Sequence, residues 1–281
     1  MSPAPPRLRD ATARDLPEIH RLSQAVGWPH READLRLLLA LGHGFAAIGP
    51  GGVVEGCAAW WPFGDAVATV GLVIVRPDLQ GRGLGGALFR AALDGAGPRR
   101  LHLHATQAGR PLYERHGFAA NGLVHQHQGI VRAGPGGSGA GVRAIRADDR
   151  AAILGLDRAA TEADRTRLLD ELVGTARGFV RCEAGRTTGF AFLRAFGRGQ
   201  VLGPVIAEDD AGAAALTEAG MDAAEGGFLR MDVPAAAGPL RNRLAAAGLA
   251  EVATALPMVR GGLGAPTGPA RIYGLAAQAL G

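Results

Sequence analysis

The stretch VIVRPDLQGRGLGGAL, Val73 to Leu88, sets four glycines (Gly81, Gly83, Gly85 and Gly86) at the mouth of a helix. Glycine inside a helix costs roughly 1 kcal/mol relative to alanine, so the cluster needs a reason. The residues before it, ATVGLVIV (Ala68 to Val75), are rich in β-branched side chains and read as a central strand. Pro77 sets a turn over Arg76–Leu79. A helix opens over Gln80–Gly86 and continues as ALFRAALD, with Leu88, Ala91 and Ala92 at helical spacing. A helix N-terminus offers unpaired N–H groups and a partial positive charge, and glycines let an anion come close to that backbone. The stretch therefore reads as strand, turn and phosphate-binding helix mouth.

One phosphate ligand is disfavoured at once. Gly81, Gly83 and Gly86 satisfy G-x-G-x-x-G, the dinucleotide fingerprint. In that unit the strand runs almost directly into the first glycine, and an acidic residue follows about 20 residues on. Here a proline turn intervenes and Thr106 stands at that distance. An NAD-binding Rossmann enzyme is the distant alternative.

Working outward, 281 residues leave room for two domains, and 47% hydrophobic with 20% charged residues is an ordinary globular balance. All 30 basic residues are arginine, which excludes a Schiff-base or P-loop lysine. The serines, Ser2, Ser23 and Ser138, lie outside any G-x-S-x-G setting, which argues against a serine hydrolase. A net charge of +4 from dispersed arginines suits a small anionic ligand and does not suggest nucleic acid. No apolar run reaches the roughly 18 residues that cross a bilayer, and MSPAPPRLRD carries no apolar leader. Cys57 and Cys182 fall in different halves and read as small apolar strand residues, neither disulfide nor nucleophile. The expectation is a cytoplasmic protein without a membrane partner.

The Gly-rich AGPGGSGAG, residues 133–141, reads as a linker between domains 1–132 and 142–281. RLRDATARDLPEIHRL (Arg7 to Leu22) and GVRAIRADDRAAILGLD (Gly141 to Asp157) each read as strand, Asp-bearing turn and amphipathic helix, the trace of an internal duplication. Asp10 or Thr12, and Asp148 or Asp149, are the candidate caps. In the first half the patterns predict strands near 7–9, 44–48, 53–61, 66–75, 100–105 and 117–128, and helices over 15–26, 31–41, 83–93 and 109–116. That order indicates an α/β fold, a mixed sheet with helices on both faces.

Read as Q-x-x-G-x-G, Gln80, Gly83 and Gly85 follow an apolar strand and a V-x-P turn, and the stretch then resembles the signature of the GCN5-related N-acetyltransferase (GNAT) family. RPLYERHGF (Arg110 to Phe118), about 30 residues downstream, resembles the family's L-Y-E-x-x-G-F helix end. The resemblance covers roughly Arg7 to Gly129. It implies a mostly antiparallel twisted sheet and acetyl-CoA as co-substrate, with no metal. It also implies that the backbone of Val73, Ile74 and Val75 pairs with the pantetheine arm of coenzyme A. Gln80 and the amides of Gly81, Arg82, Gly83, Leu84, Gly85 and Gly86 would then hold the pyrophosphate. Thr106 occupies the position where many relatives carry an asparagine that serves the cofactor.

An amine attacking a thioester must be neutral, the developing oxyanion must be stabilised, and the departing thiolate benefits from a proton. By resemblance a strand amide near Val75 polarises the carbonyl and Tyr113 is the catalytic acid. The base stays open between His102, His104 and water: LHLHA alternates Leu101 and Leu103 with the two histidines, so one face of that strand is polar. Trp28 and His30 in VGWPH, between the two early helices, and Asp65 in WWPFGD are the candidate contacts to the acceptor. His125 and His127 share a face of the last strand but fall short of a metal site.

The second half repeats the strand–loop–helix region as VLGPVIAEDDAGAAALTEAG (Val201 to Gly220) without the glycine loop. Glu208, Asp209 and Asp210 stand where phosphates would lie and would repel them. LRMDVP and LRNRLAAAGL resemble the later strand and helix, with no tyrosine acid. Together with ADRTRLLDEL, LGPV and RIYGLAAQALG, this resembles tandem acetyltransferases of the YitH type, in which a degenerate GNAT domain follows an active one. Tyr273 reads as packing. The expected function is direct transfer of acetyl from acetyl-CoA to the primary amine of a small molecule, since no convincing nucleophile is present. A non-catalytic acyl-CoA-binding or sensor protein is the alternative. A homodimer stays open.

Overall fold

The structure is a computed structural model that describes residues 7–132, 141–262, 264 and 267–281, so residues 133–140 of the expected linker lie outside the described residues. Two compact units make up the chain, Met1–Leu103 and His104–Gly281.

The first unit runs β1 (Arg7–Asp10), α1 (Leu16–Ala25), α2 (Glu32–Leu41), β2 (His43–Ile48), β3 (Val54–Phe63), β4 (Val67–Val75), α3 (Leu84–Ala96) and the start of β5 (Arg100–Ala105). Its strands lie in chain order, antiparallel from β1 to β4 and parallel between β4 and β5. Trp60 and Trp61 show why helices cover both faces. Successive strand residues point to opposite sides. Trp61 is fully buried and donates from its indole nitrogen to the Leu38 carbonyl of α2, 2.8 Å away. The Trp60 ring lies against Gly95 of α3, where a Cβ would meet Nε1 at 2.7 Å.

At the start of α1, Asp15 accepts from both Arg9 guanidinium nitrogens, each at 2.7 Å, and from the Thr12 amide at 2.8 Å. The N-cap is thus Thr12, one of the two residues the sequence pointed to, and Asp15, three positions on, completes its capping box. The same device opens the second half: Asp149 accepts from Arg143 at 2.7 and 2.8 Å and from the Arg146 amide at 2.8 Å. Equal spacing and equal geometry support the duplication.

The second unit contains α4 (Arg110–Arg115), β6 (Ala119–Ala120), β7 (Val124–Ile130), β8 (Val142–Ala144), α5 (Arg150–Thr161), α6 (Thr166–Thr175) and β9 (Arg177–Glu183). After these come β10 (Arg186–Phe196), β11 (Gly199–Ala207), α7 (Asp210–Ala223), β12 (Phe228–Pro234), α8 (Gly238–Ala246), β13 (Ala250–Arg260) and β14 (Arg271–Gly274). Its strand order is β13-β7-β12-β11-β10-β9-β8, with β14 on β11 and β6 on β13. The single strand expected over 117–128 is two strands, broken at Gly122, whose φ of +87° interrupts extension. The pairing of β7 is unexpected. It precedes the linker, yet it is antiparallel to β12 along its whole length and to β13 on its other edge.

Candidate active site

The site begins with an open strand edge. β4 pairs with β5 only through Val67–Arg100, Ala68–Leu101 and Thr69–His102. Beyond Thr69 the edge of β4 that faced β5 has no strand partner among the described residues. A bulge re-aims that edge. Cys57 faces Ile74 and Ala59 faces Gly71, so Leu72 and Val73 together oppose Ala58, and Leu72 adopts a left-handed φ of +50°. The buried Cys57 thiol lies 3.3 Å from the Leu72 carbonyl, and burial pushes its pKa up to about 12, so it stays protonated and inert.

A one-turn helix over Pro77–Leu79 leads from β4 into the loop. The Gln80 carboxamide donates to the Val75 carbonyl at 3.1 Å and ties the loop to the strand end. Gly81 and Gly83 have φ of +77° and +86°, values that side chains rarely adopt, and a Cβ on either would meet nothing within 4 Å. The glycines thus answer a conformational need and leave space above bare backbone. Gly83 is the N-cap of α3, and Ala87 donates back to it at 3.1 Å as the ladder begins. The amides of Leu84, Gly85 and Gly86 precede that bond and form the helix mouth. Arg82 is exposed in the loop. The helix mouth suits a diphosphate, and the free β4 edge suits an extended, amide-bearing chain. Coenzyme A has both parts, so these residues fit it.

In the second unit, the partly buried Tyr113 sits on α4, its ring edge-on to Phe118 with centroids 6.4 Å apart. Burial pushes the phenol up to about 12, which keeps its proton in place. Gly109 makes room for this ring: a Cβ there would lie 2.9 Å from Tyr113 Cε2. Thr106 turns the chain into α4, its hydroxyl accepting from the Gly109 amide at 3.2 Å.

Of the candidate bases, His104 has a defined tautomer. Its Nδ1 lies 2.7 Å from the Gln278 carbonyl, which can only accept, so Nδ1 carries the proton and Nε2 keeps its lone pair. Burial pulls its pKa below the ordinary histidine value. No sequence pattern pointed to that partner.

Trp28 and His30 meet edge to face at 5.8 Å in the α1–α2 connection, where His30 Nδ1 lies 2.8 Å from Ser23 Oγ and the His30 carbonyl 2.9 Å from His20 Nε2. Asp65 is elsewhere. It is fully exposed in the β3–β4 turn, 3.6 Å from Arg99, at the far end of the nine-residue β4 from the glycine loop. That is roughly 27 Å of extended strand. His125 pairs with Glu251 at 2.9 Å and His127 Nδ1 lies 3.1 Å from the Leu249 carbonyl. Among the described residues no group of three or more His, Cys, Asp or Glu converges as metal ligands would, and no helix is long and apolar enough to cross a membrane.

At the corresponding helix mouth of the second half, Asp209 caps α7 by accepting from the Gly212 amide at 2.7 Å. The Tyr273 hydroxyl donates to Asp210 at 2.7 Å. A carboxylate of the chain thus fills the place of an anion.

Comparison with known proteins shows the family and the fold. Profiles of the acetyltransferase (GNAT) domain match residues 40–120 and again residues 153–274. The uncharacterized N-acetyltransferase YitH of Bacillus subtilis is 28% identical over 271 residues, 93% of each chain. A Pyrococcus horikoshii crystal structure superimposes with a TM-score of 0.80 at 20% identity, covering 98% of this chain and 95% of that one. A tandem GNAT protein from the clavulanic acid biosynthesis pathway gives a TM-score of 0.64 at 16% identity, over 92% of this chain and all of the other (100%).

Proposed function

Both halves of this chain belong to the acetyltransferase (GNAT) family, whose chemistry is acyl transfer, and on that premise we propose that the chain, through its N-terminal half, acetylates the primary amine of a small molecule with acetyl-CoA. The observation that carries the reading is the edge of β4 without a strand partner among the described residues, running into two left-handed glycines, Gly81 in the loop and Gly83 as the N-cap of α3.

When bound, the thioester supplies an activated acetyl group and a thiol leaving group. The backbone of Val73–Val75 binds the pantetheine amides as a neighbouring strand would. Gln80 holds the loop in shape, and the amides from Gly81 to Gly86 receive the diphosphate. Arg82 adds positive charge from the loop. Tyr113, protonated throughout the working pH range, is assigned as the proton donor to the departing sulfur. Thr106 and Gly109 set its helix. Trp28 and His30 are assigned to the acceptor; Asp65 is left out, because its turn lies at the wrong end of β4.

The test is a panel of amines incubated with acetyl-CoA and read by free thiol, beside calorimetry with coenzyme A alone. The reading expects saturable binding and thiol release that depends on one class of amine. Binding without amine-dependent release would indicate the non-catalytic acyl-CoA-binding protein. Absence of binding would overturn both.

A further inference from the structure

The second unit repeats the parted strands of the first, but its gap is filled. β11 and β12 pair in parallel only through Gln200–Leu229 and Val201–Arg230, then separate. β14 lies antiparallel on the edge of β11 that β12 has left, with Val205 opposite Gly274, Ile206 opposite Ile272 and Ala207 opposite Arg271. On the far side the Leu275 amide donates to the Asp232 carbonyl of β12 at 2.9 Å.

Two glycines show that β11 here corresponds to β4. A Cβ on Gly56 would meet the Ile74 carbonyl at 2.8 Å and Leu88 Cδ1 at 2.9 Å; a Cβ on Gly189 would meet the Ile206 carbonyl at 2.8 Å and Leu216 Cδ1 at 2.9 Å. Val205–Ala207 therefore match Val73–Val75, the edge left open in the first unit.

The fit of the C-terminal segment is specific along its length. Gly203 has no side chain where the segment passes, and a Cβ there would sit 1.9 Å from the Leu275 carbonyl oxygen. Arg194 donates to the Ala276 carbonyl at 3.1 Å, and Arg165, held by Asp157, donates to the Gly281 carbonyl at 2.7 Å. Tyr273, Leu275, Ala276 and Leu280 are buried. The Tyr273 hydroxyl reaches Asp210 in the first turn of α7, beside a remaining cavity of about 270 Å³.

We propose that the second unit is a cleft for a peptide and that residues 271–281 are its built-in ligand, extended over Arg271–Gly274 and closed by a turn in which the Gly281 amide donates to the Ala277 carbonyl at 3.0 Å. The ligand chemistry is a short strand and a turn, mostly of small and aliphatic residues, with one phenol directed at an acidic helix mouth and one carboxamide, Gln278, donating to Asp232 at 3.2 Å. Glu208, Asp209 and Asp210 disfavour a phosphate at that mouth, and β14 leaves no free edge there for a pantetheine arm. The inference rests on the geometry of the second unit alone. Its test reads peptide capture, so its failure and the failure of the acyl-transfer reading are distinguishable.

The experiment uses the full chain with a specific protease site inserted after Gly268. After cleavage the segment is expected to stay bound through gel filtration. A labelled synthetic peptide spanning Ala270–Gly281 is expected to exchange into the nicked protein and to be competed by the unlabelled peptide. Millimolar coenzyme A is expected not to displace it. A peptide carrying Tyr273→Phe should compete about tenfold less well, the loss expected for a hydrogen bond to a carboxylate. In the uncut chain Gly203→Ala should speed amide exchange of Ile272, Gly274 and Leu275 while β10 stays protected. Loss of the segment on filtration with an unchanged melting curve would overturn the proposal, as would displacement by coenzyme A, or equal competition by the Tyr273→Phe peptide. If Gly203→Ala does not fold, the peptide competition decides alone, because it needs no altered protein.

Discussion

The side chain of Gln80 and the backbone of Val75 are joined by a single hydrogen bond, 3.1 Å from amide nitrogen to carbonyl oxygen, and that bond sets where the glycine loop leaves its strand. A typical bond of this kind contributes about 1 kcal/mol. Gln80→Ala is expected to raise KM for acetyl-CoA about fivefold with kcat unchanged, the pattern of lost uniform binding. Gly83→Val is expected to abolish coenzyme A binding in calorimetry, since φ of +86° is hostile to a β-branched residue and the added side chain enters the open space. Unchanged binding in both variants would remove the loop from the site.

Tyr113→Phe keeps the ring against Phe118 and removes only the hydroxyl. The expected result is a fall in kcat of about 100-fold with KM and melting temperature unchanged. With the phenol at about 12, its ionisation produces no falling limb in the pH–rate profile below roughly pH 11. Gly109→Ala should mimic part of the defect, because the added methyl displaces the ring. A Tyr113→Phe enzyme with full kcat would deny the residue its role.

His104 makes a prediction independent of catalysis. Nitrogen NMR should find a neutral ring with the proton on Nδ1, titrating below the ordinary value near 6.5 because burial disfavours the charged form. A midpoint above 6.5 would contradict the dominance of burial, and the proton on Nε2 would contradict the bond to the Gln278 carbonyl.

Asp15 links stability to acid. The Arg9 guanidinium holds its carboxyl down to about 2, against an ordinary value of 3.8. A depressed native pKa contributes stability that is complete above the unfolded value and is lost as pH falls through the native one. Asp15→Asn should therefore cost about 1–2 kcal/mol at neutral pH, allowing for the partly exposed Arg9. The gap from wild type should close between about pH 4 and pH 2, as read by urea denaturation. A pH-independent gap would show that the carboxylate acts by packing alone.

The elements that the sequence made legible are those fixed by neighbours along the chain. β4, the proline turn and α3 follow one another within 30 residues (67–96), and their order alone points to the helix mouth. A mixed sheet with helices on both faces was readable for the same reason, and its mostly antiparallel character came from the family resemblance. What stayed hidden depends on partners far apart in sequence. VHQHQGI alternates like any half-buried strand, and nothing in it says that its neighbours are β12 and β13, more than 90 positions later. The His104 bond spans 174 positions. Tyr273 read as packing because Asp210, 63 positions earlier, read only as a repulsive charge. Asp65 was a candidate as a carboxylate beside the aromatics of WWPFGD, but nine residues of β4 separate its turn from the glycine loop.

The placement of β7 limits how this gene can be cut. A recombinant fragment starting at Gly141 would omit a strand from the middle of its own sheet and leave β12 and β13 with bare facing edges. Exposed edges of that kind recruit other chains. The Gly-rich stretch that looks like the natural place to divide the protein is therefore a poor boundary for expression. A C-terminal fragment that includes Val124–Ile130 should stay dispersed where the shorter one precipitates.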